Sequence, residues 1–220
     1  MKNAETSVVK VALYGAMSSL GSALMAELLR RQHEVIAIVD DLTALAPRPG
    51  LRTKNGDLFE AERVKQSVAG CSAVICLLDA PGLPFSSEYV EKTNVPGPVE
   101  QVLAADALID GMQAAGIARL FLVGDFDVLD DPDTFDPLQR HAAEEIREAL
   151  QSSSLKWTLV NAPRGVPGMT IEHFSQISST LEPGLAKPLE RLIRTAVGIA
   201  DELHLNLHIG EHVNFVATDS

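Results

Sequence analysis

Hydrophobic and polar residues follow two alternating patterns along this chain. Short apolar runs rich in β-branched residues are separated by longer stretches whose apolar residues recur near the 3.6-residue period of an α-helix. The short runs predict strands at residues 8–14, 34–39, 51–55, 72–78, 119–124, 156–161 and 212–218. The longer stretches predict helices at roughly 20–32, 60–69, 98–115, 137–151 and 188–203. Helix 98–115 is expected to have one apolar face, formed by Val99, Val102, Leu103, Ala107, Leu108 and Met112.

This alternation predicts a Rossmann-type α/β fold with a doubly wound parallel sheet. Strands joined through helices pair in parallel, and right-handed crossovers place helices on both faces of the sheet. We expect a single domain over residues 1–220. Ligands of such sheets bind outside the carboxyl ends of the strands. Loops 79–98 and 162–187, both rich in proline and glycine, follow strand ends. We therefore expect these loops to form the substrate side of a site.

Composition and charge narrow the class of partner. The formal net charge is -12, from 18 basic and 30 acidic residues, so a nucleic acid or an anionic membrane surface would be repelled. No apolar run approaches the ~18 residues of a membrane-spanning helix. The first ten residues carry no apolar signal core, and there are only two cysteines. These features predict a reduced, cytoplasmic setting, with neither nucleic acid nor membrane as a partner.

The segment VALYGAMSSLG, residues 11–21, meets part of what a dinucleotide-binding turn requires. A strand that ends in a tight turn favours glycine, and a backbone that approaches a pyrophosphate favours a second glycine. The following helix then directs its first N–H groups at the phosphate oxygens. Gly15 and Gly21 meet the first and last needs. Ser18 and Ser19 occupy the middle, where their Cβ atoms restrict φ and would hold a phosphate further out.

An acidic pair follows at the spacing that a ribose contact needs. Asp40 lies nineteen residues after Gly21, at the end of the next predicted strand, and Asp41 follows it. A carboxylate at about this spacing binds the adenosine ribose 2′-hydroxyl and would repel a 2′-phosphate. The pair therefore favours NAD(H) over NADP(H). A β–α turn that binds no dinucleotide is the alternative interpretation of the whole segment.

At these residues the chain resembles the atypical short-chain dehydrogenase/reductases. More narrowly, it is similar to small NAD(P)-binding proteins of the NADH-flavin reductase type, with NmrA-like and biliverdin-reductase-B-like proteins as relatives. The opening turn of that group reads G-A-T-G-x-x-G; GAMSSLG keeps Gly15, Ala16 and Gly21 but has Met17 and Ser18 in place of threonine and glycine. The similarity continues through RRQHEVIAIV, NGDLFEAERVKQSVAGCSAVICLL, ARLFLVGDFDV, LKWTLVNAP and, more weakly, RTAVGIADEL.

The resemblance implies where a dinucleotide would bind. The pyrophosphate would lie on the turn made of Gly15, Ala16, Met17, Ser18, Ser19, Leu20 and Gly21. Asp40 and Asp41 would lie near the adenosine ribose, and Asp57 and Leu58 match the adenine-side turn of the group. The ends of the fourth and fifth strands would lie beside the nicotinamide and its ribose, at Leu77, Leu78, Val123 and Gly124.

The chain departs from its relatives at two functional positions. Many of them carry an arginine for the 2′-phosphate at the end of the second strand, where this chain has Asp40. The wider superfamily uses a Tyr-x-x-x-Lys dyad on the helix after the fifth strand, but that helix, DPLQRHAAEEIREALQ, has neither residue. We therefore expect direct hydride transfer from nicotinamide to a flavin or similar planar acceptor, because such a transfer needs mainly positioning.

His141, near the start of that helix, is the candidate proton donor, because histidine titrates near neutral pH. The alternative is an exposed residue paired with Glu145 at i,i+4. The spacings of His204, His208 and His212 would suit metal ligands on a helix, but the alternation of apolar and polar residues in this segment favours an extended chain or a helix end with a polar surface. No metal is therefore expected.

Several loop residues also carry candidate chemistry. The segment 125–136, with six aspartates, is interpreted as a solvated acidic loop that disfavours anionic substrates at the mouth of the site. Arg164 is a candidate for a cofactor phosphate or a substrate carboxylate. Phe85 and Tyr89 are candidates for stacking on an aromatic substrate. A surface role is the alternative for each of these three residues.

The leading prediction is an NAD(P)H-dependent oxidoreductase of the NADH-flavin reductase type that acts on a small molecule. The first alternative is a non-catalytic dinucleotide-sensing or scaffold protein of the NmrA-like type, favoured by the absent dyad and by the two serines of the turn. A degenerate fold that binds no dinucleotide is the second. A homodimer is a further expectation.

Overall fold

The sheet of this protein is parallel throughout and changes winding direction at its centre. The computed structural model describes residues 7–84, 95–131, 135–176 and 186–216. Its sheet has the strand order β3-β2-β1-β4-β5-β6-β7, and each neighbouring pair is parallel. The strands are β1 (Lys10–Tyr14), β2 (Glu34–Ile38), β3 (Leu51–Lys54), β4 (Ala73–Leu77), β5 (Arg119–Gly124), β6 (Lys156–Asn161) and β7 (Glu211–Val213).

Helices cover both faces of the sheet. One face carries α1, α5 and α6, and the other carries α2, α3 and α4, which pack in that order. Their bounds are α1 (Ser19–Arg30), α2 (Ala61–Val68), α3 (Pro98–Ala115), α4 (Pro137–Ser152), α5 (Ile171–Gln176) and α6 (Lys187–Leu205). This arrangement confirms the predicted Rossmann-type doubly wound α/β fold. The carboxyl end of each strand lies at one edge of the sheet, which we call the carboxyl edge; the opposite edge is the amino edge.

The core is continuous across the sheet because its central strands are apolar on both faces. Residues 73–77 of β4 and 119–124 of β5 are buried along their whole length. A strand covered by helices on both faces has no solvent side, which explains the uninterrupted apolar runs in the sequence. Burying each Leu, Ile or Val side chain stabilises the fold by about 1.5–3 kcal/mol. The rigid sheet can therefore hold irregular loops at the carboxyl edge.

Helix α3 turns a different face to the core than its periodicity predicts. Val102, Leu108 and Met112 are buried as expected, whereas Val99 and Leu103 are exposed, at 55% and 47%. The cause is Gly111, where a Cβ atom would lie 2.6 Å from the carbonyl oxygen of Ala61 at the start of α2. The close approach of α2 rotates the buried side of α3 toward its small residues. The single apolar face predicted from the sequence is wrong at these two positions.

Other elements differ in extent from their predictions. Helix α5 and a short 3₁₀ turn at Asp127–Leu129 lie in stretches that were expected to be loops. The strand expected at 212–218 is the three-residue β7 within the described part of the chain. Among the described helices, none combines the length and the apolar character needed to cross a membrane.

Candidate functional site

The turn between β1 and α1 is shaped by two glycines that allow three segments to meet. Gly15 has φ +84°, and a Cβ atom there would lie 2.7 Å from the Cβ of Ala80 and 2.8 Å from that of Leu77. A Cβ atom on Gly21 would lie 2.2 Å from the carbonyl oxygen of Gly15. Both glycines are thus required for close packing of β1, α1 and the segment after β4, whether or not a phosphate approaches.

The two serines of the turn bind backbone groups of this chain. Ser18 is the N-cap of α1: its Oγ accepts from the Gly21 N–H at 2.9 Å and donates to the Gly15 carbonyl at 2.8 Å. The Oγ of Ser19 accepts from the Val166 N–H at 3.0 Å. The first contact stabilises the helix start. The second fastens the segment after β6 to the turn.

A cavity of about 360 Å³ opens beside this turn, and we call it the turn cavity. Three segments line it: the turn itself, the residues after β4 and the residues after β6. The lining residues are Met17, Ser18, Ser19, Leu20, Leu77, Asp79, Ala80, Pro81, Ala162, Pro163, Gly165, Val166, Pro167, Gly168 and Met169. The cavity therefore lies at the crossover point of the sheet, where ligands of doubly wound folds bind.

The turn cavity fits the phosphates of a dinucleotide. Within the described residues, the backbone N–H groups of Ser19 and Leu20 at the start of α1 have no hydrogen-bond acceptor. Such first-turn N–H groups, together with the positive end of the helix dipole, bind phosphate oxygens. The first turn also carries no acidic side chain that would repel an anion. Of the turn residues predicted from the sequence, Met17, Ser18, Ser19 and Leu20 line this cavity, whereas Gly15, Ala16 and Gly21 do not.

The residues predicted for the adenosine side lie apart from the turn cavity. Asp40 is exposed at the end of β2, and partial burial together with the charge of Asp57 raises the pKa of its carboxyl. The Asp41 carboxylate accepts from the N–H and the hydroxyl of Thr43, at 2.8 and 2.7 Å. Of the two aspartates, Asp40 is the one whose carboxylate has no hydrogen-bond donor among the described residues.

The predicted adenine-side turn is partly engaged by the chain. The Asp57 carboxylate accepts from the Phe59 N–H at 2.9 Å. Leu58 is fully buried, and its N–H donates to the carbonyl of Pro84 at 2.9 Å. Asp57 is therefore held by a local hydrogen bond and Leu58 by one to the segment after β4. The Asp57 carboxylate is close enough to Asp40 to affect its pKa.

Of the four residues predicted for the nicotinamide side, only Leu77 lines the turn cavity. Leu78 and Val123 are buried in the sheet, where the Leu78 N–H donates to the Val123 carbonyl at 2.8 Å. The Gly124 carbonyl accepts from the Ala162 N–H at 2.8 Å. These residues fix the positions of the segments that follow β4 and β6.

A second cavity, of about 510 Å³, adjoins the first at the carboxyl ends of β4, β5 and β6, and we call it the acidic cavity. Aspartates, an asparagine and arginines line it together with small residues. The lining residues are Asp79, Asp125, Asp127, Asn161, Ala162, Pro163, Arg164, Gly165, Arg191, Asn214 and Val216. Asp79, Ala162, Pro163 and Gly165 also line the turn cavity. The two cavities therefore share a wall.

The carboxylates of the acidic cavity influence one another's ionisation. Burial, with the charge of Asp125 as a smaller cause, raises the pKa of Asp79 to about 6. Partial burial and the charge of Asp127 raise the pKa of Asp125. A carboxyl group with a pKa near neutrality, in a cleft, is a candidate for proton transfer.

A chain of hydrogen bonds holds the far side of the acidic cavity. The Asn161 amide nitrogen donates to Asp127, and the Asn161 amide oxygen accepts from His212 Nε2 at 2.7 Å. The other ring nitrogen of His212 lies 3.4 Å from an Asp130 carboxylate oxygen. Sequence reasoning missed Asp79, Asn161 and His212 as site residues. The available signal was a polar residue directly after an apolar strand, which Asp79 and Asn161 both provide.

His141 lies away from both cavities. Its side chain is 75% exposed and its Nε2 is 3.9 Å from Glu145 Oε2, which matches the surface alternative. It borders a depression between α3 and α4, which has no lining residue in common with either cavity. Arg164 does line the acidic cavity. Phe85 and Tyr89 lie outside the described residues.

The three C-terminal histidines have separate partners. His204 Nε2 is 3.1 Å from His33 Nε2, His208 Nδ1 is 2.9 Å from Glu202 Oε1, and His212 binds Asn161. Across residues 7–84, 95–131, 135–176 and 186–216, no group of three or more His, Cys, Asp or Glu side chains could hold a metal ion.

Comparison with known proteins adds to this geometry. Solved structures with a similar fold include a Burkholderia pseudomallei protein named as exported (22% identity, covering 94% of this chain and 98% of that one, TM-score 0.64). They also include a Bacteroides thetaiotaomicron protein named as an epimerase (20% identity, 97% and 100% covered, TM-score 0.64). A third is a Bacillus halodurans protein named as an NAD-dependent epimerase/dehydratase (20% identity, 94% and 92% covered, TM-score 0.61). At these identities the likeness shows the fold alone.

A family model described as NAD(P)H-binding matches residues 15–168. The matched region begins at the first glycine of the turn and ends in the segment after β6 that closes the turn cavity. It covers more than half of the chain. It also includes every residue that lines the turn cavity except Met169. This confirms the resemblance to atypical short-chain dehydrogenase/reductases, and the chain belongs to the NAD(P)H-binding family.

Proposed function

We propose that this chain is an NADH-dependent oxidoreductase that reduces a flavin or a similar planar acceptor held in the acidic cavity. The observation that carries the proposal is the wall that the turn cavity shares with the acidic cavity. A cofactor in the turn cavity and an acceptor in the adjoining acidic cavity would be close enough for direct hydride transfer. When bound, the dinucleotide would supply a hydride.

Named groups of the chain would hold the dinucleotide. The N–H groups of Ser19 and Leu20 would bind the pyrophosphate, and the Asp40 carboxylate would accept from the adenosine ribose. The raised pKa of Asp40 comes from burial and from Asp57, so a further negative charge nearby would be unfavourable. This supports NADH over NADPH as the preferred cofactor.

The acceptor is expected to carry little negative charge. Three carboxylates line the acidic cavity, from Asp79, Asp125 and Asp127, against the guanidinium groups of Arg164 and Arg191. We therefore expect riboflavin, which has no phosphate, to be a better acceptor than its phosphorylated form.

The first experiment compares NADH and NADPH binding by calorimetry in the wild type, in Asp40→Ala and in the control Asp110→Ala. Asp110 is exposed on α3, outside both cavities, and carries the same charge. We expect Asp40→Ala to weaken NADH binding about tenfold, because a hydrogen bond to a charged group is lost, and to reverse the preference for NADH. If Asp40→Ala prefers NADH over NADPH as strongly as Asp110→Ala does, the assignment of Asp40 to the ribose is contradicted.

NADH oxidation with riboflavin then tests the reaction itself. Oxidation that needs both the protein and the flavin supports the oxidoreductase. The alternative is a non-catalytic dinucleotide sensor, which is favoured by the absence of a tyrosine and a lysine from α4. A sensor would bind NADH without oxidising it. The cytoplasmic setting and the homodimer stay predictions from the sequence.

A further inference from the structure

Asp79 stands where the two cavities meet. It lies two residues after the end of β4 and lines both the turn cavity and the acidic cavity. The other residues shared by the two linings are Ala162, Pro163 and Gly165, whose side chains cannot donate or accept a proton. Asp79 is thus the one titratable side chain that faces both spaces among the described residues.

Arg164 and Arg191 line the acidic cavity with Asp79, but no ion pair joins Asp79 to a cation among the described residues. Within the same part of the chain, the Asp79 carboxyl makes no hydrogen bond to another side chain. The charge that affects its pKa is that of Asp125, another acid. Burial and this like charge both favour the protonated form and raise the pKa of Asp79 to about 6. Near neutral pH the group is therefore able to exchange a proton readily, which is the condition for efficient acid–base catalysis.

We propose that Asp79 is the catalytic acid of this site, and that it protonates the acceptor in the acidic cavity while hydride arrives from the turn cavity. The proposal rests on the proposed function. It assigns to an aspartate after β4 the proton transfer that a tyrosine on the helix after the fifth strand performs in the wider superfamily.

The proton and electron balance shows why an acid is needed. A hydride adds an electron pair to the acceptor, which is reduced by two electrons while NADH is oxidised to NAD⁺. The negative charge that develops on an oxygen or nitrogen of the acceptor takes the proton of the Asp79 carboxyl. The resulting Asp79 carboxylate would face the cavity that holds the oxidised cofactor, and it would recover a proton from water when the products leave.

Other titratable groups near the site are less suited. Asp125 is exposed and lines the acidic cavity but not the turn cavity. Asp127 accepts a hydrogen bond from Asn161. Tyr14 is fully buried against Ser67, and burial raises the pKa of its hydroxyl, so it stays protonated in the core. His141 borders the separate depression between α3 and α4. The position of Asp79 on the shared wall distinguishes it from these four residues.

The activity test compares the wild type with Asp79→Asn, Asp79→Glu and the control Asp110→Asn in NADH oxidation with riboflavin, from about pH 5 to about pH 8. We expect the wild-type kcat to fall as the pH rises through about 6, because the acid form of Asp79 is lost. Asp79→Asn is expected to lower kcat about 100-fold or more and to remove this pH dependence. Asp79→Glu, which keeps a carboxyl, is expected to recover part of the activity, and Asp110→Asn to match the wild type.

A binding test provides a readout that does not depend on turnover. An ionised Asp79 attracts the cationic ring of NAD⁺ but not the neutral ring of NADH. Calorimetry should show NAD⁺ binding to the wild type tightening about fivefold as the pH rises through the Asp79 titration, with little change for NADH. In Asp79→Asn both affinities should be independent of pH over this range, whereas Asp110→Asn should behave as the wild type.

The outcomes separate the two proposals. Wild-type turnover with an unchanged kcat and pH profile in a folded Asp79→Asn overturns the role of Asp79 and leaves the oxidoreductase standing. NAD⁺ binding to the wild type that does not vary with pH overturns the role of Asp79 without any substitution. NADH binding without oxidation by the wild type overturns the oxidoreductase, and the catalytic role of Asp79 with it.

Discussion

At the amino edge of the sheet, buried charged groups meet partners within the chain, whereas at the carboxyl edge they line cavities. On the amino edge, Arg119 at the start of β5 lies 3.7 Å from Glu202 of α6, and both side chains are almost fully buried. His208 binds the same carboxylate through its ring, at 2.9 Å, and through its backbone N–H, at 3.1 Å. The Arg119 guanidinium also stacks 3.8 Å above the ring of Phe121.

The partners of Arg119 oppose the cost of burying its charge. Burial lowers the pKa of Arg119 to about 10, although the neighbouring Glu202 acts in the opposite direction. Further hydrogen bonds run from Arg119 to the Lys156 carbonyl and to the Thr158 hydroxyl, both at 2.9 Å. The amino edge therefore joins β5, β6 and α6 through Arg119 and Glu202. Nε and Nη2 of Arg119 are buried without a hydrogen bond among the described residues.

At the carboxyl edge, Asp127 also has a partner, Asn161, but the environment of Asp79 differs. The half-buried Asp79 is close to another acid and has no cationic partner among the described residues. A buried ionisable group without a partner destabilises the fold, and a carboxyl with a raised pKa in a cleft is a candidate functional group. The comparison teaches that the charges of Arg119 and Glu202 face each other inside the fold, whereas the carboxyl of Asp79 faces two cavities.

The largest expected effect is at the amino edge. Glu202→Gln leaves Arg119 buried without a counter-charge and should lower the free energy of unfolding by about 3–5 kcal/mol, measured by urea denaturation. The control is Glu190→Gln, which removes the exposed i,i+4 pair with Arg194 and should cost ~0.5 kcal/mol or less. NADH binding to the folded variant should not change. Equal losses in the two variants would remove the distinction between the edges.

A smaller effect on stability, with a change in binding, is expected at the turn. Ser18→Ala removes the N-cap of α1 and should lower the free energy of unfolding by about 1 kcal/mol. Ser18→Gly should cost only a few tenths and release the Gly21 N–H, so that NADH binds more tightly. Thermal melts and calorimetry on both variants check this. Weaker NADH binding in Ser18→Gly would mean that the serine itself contributes to the cofactor site.

The smallest effect concerns pH at the amino edge. Burial, and then the charges of His204 and Arg31, lower the pKa of His33, whose Nδ1 accepts from the Val9 N–H at 3.3 Å. The folded protein therefore binds fewer protons at His33 than the unfolded chain, whose histidine titrates near ~6.5. The stability contribution of His33 is complete above that pH and is lost as the pH falls through the lower, folded pKa.

Urea denaturation at pH values from about 8 to about 5 measures this dependence. The matched variant is His204→Gln, which keeps a hydrogen-bonding group opposite His33 Nε2 but removes a titrating charge. We expect a weaker decline in stability for the variant on acidification. An unchanged decline would assign the pH dependence to other groups.

The parts of the molecule that could be predicted are those that depend on local periodicity. The strand runs, five of the six helices and the β1 turn at Gly15 and Gly21 follow from spacing along the chain. Helix α5 was missed because six residues carry too little periodic signal. The buried side of α3 was partly wrong because the approach of α2 at Gly111, a contact distant in sequence, decides it.

The sequence by itself determined the doubly wound fold, the family and the position of the turn that starts the site, because apolar periodicity and glycine spacing are local properties. Only the tertiary structure decided which polar groups face one another. It placed Asp79, from the segment after β4, against Asp125 and the segment after β6, and it placed His141 on an outer surface. The physical reason is that a site at a parallel sheet's carboxyl edge draws its residues from loops far apart in the chain, whose mutual distances no local pattern encodes.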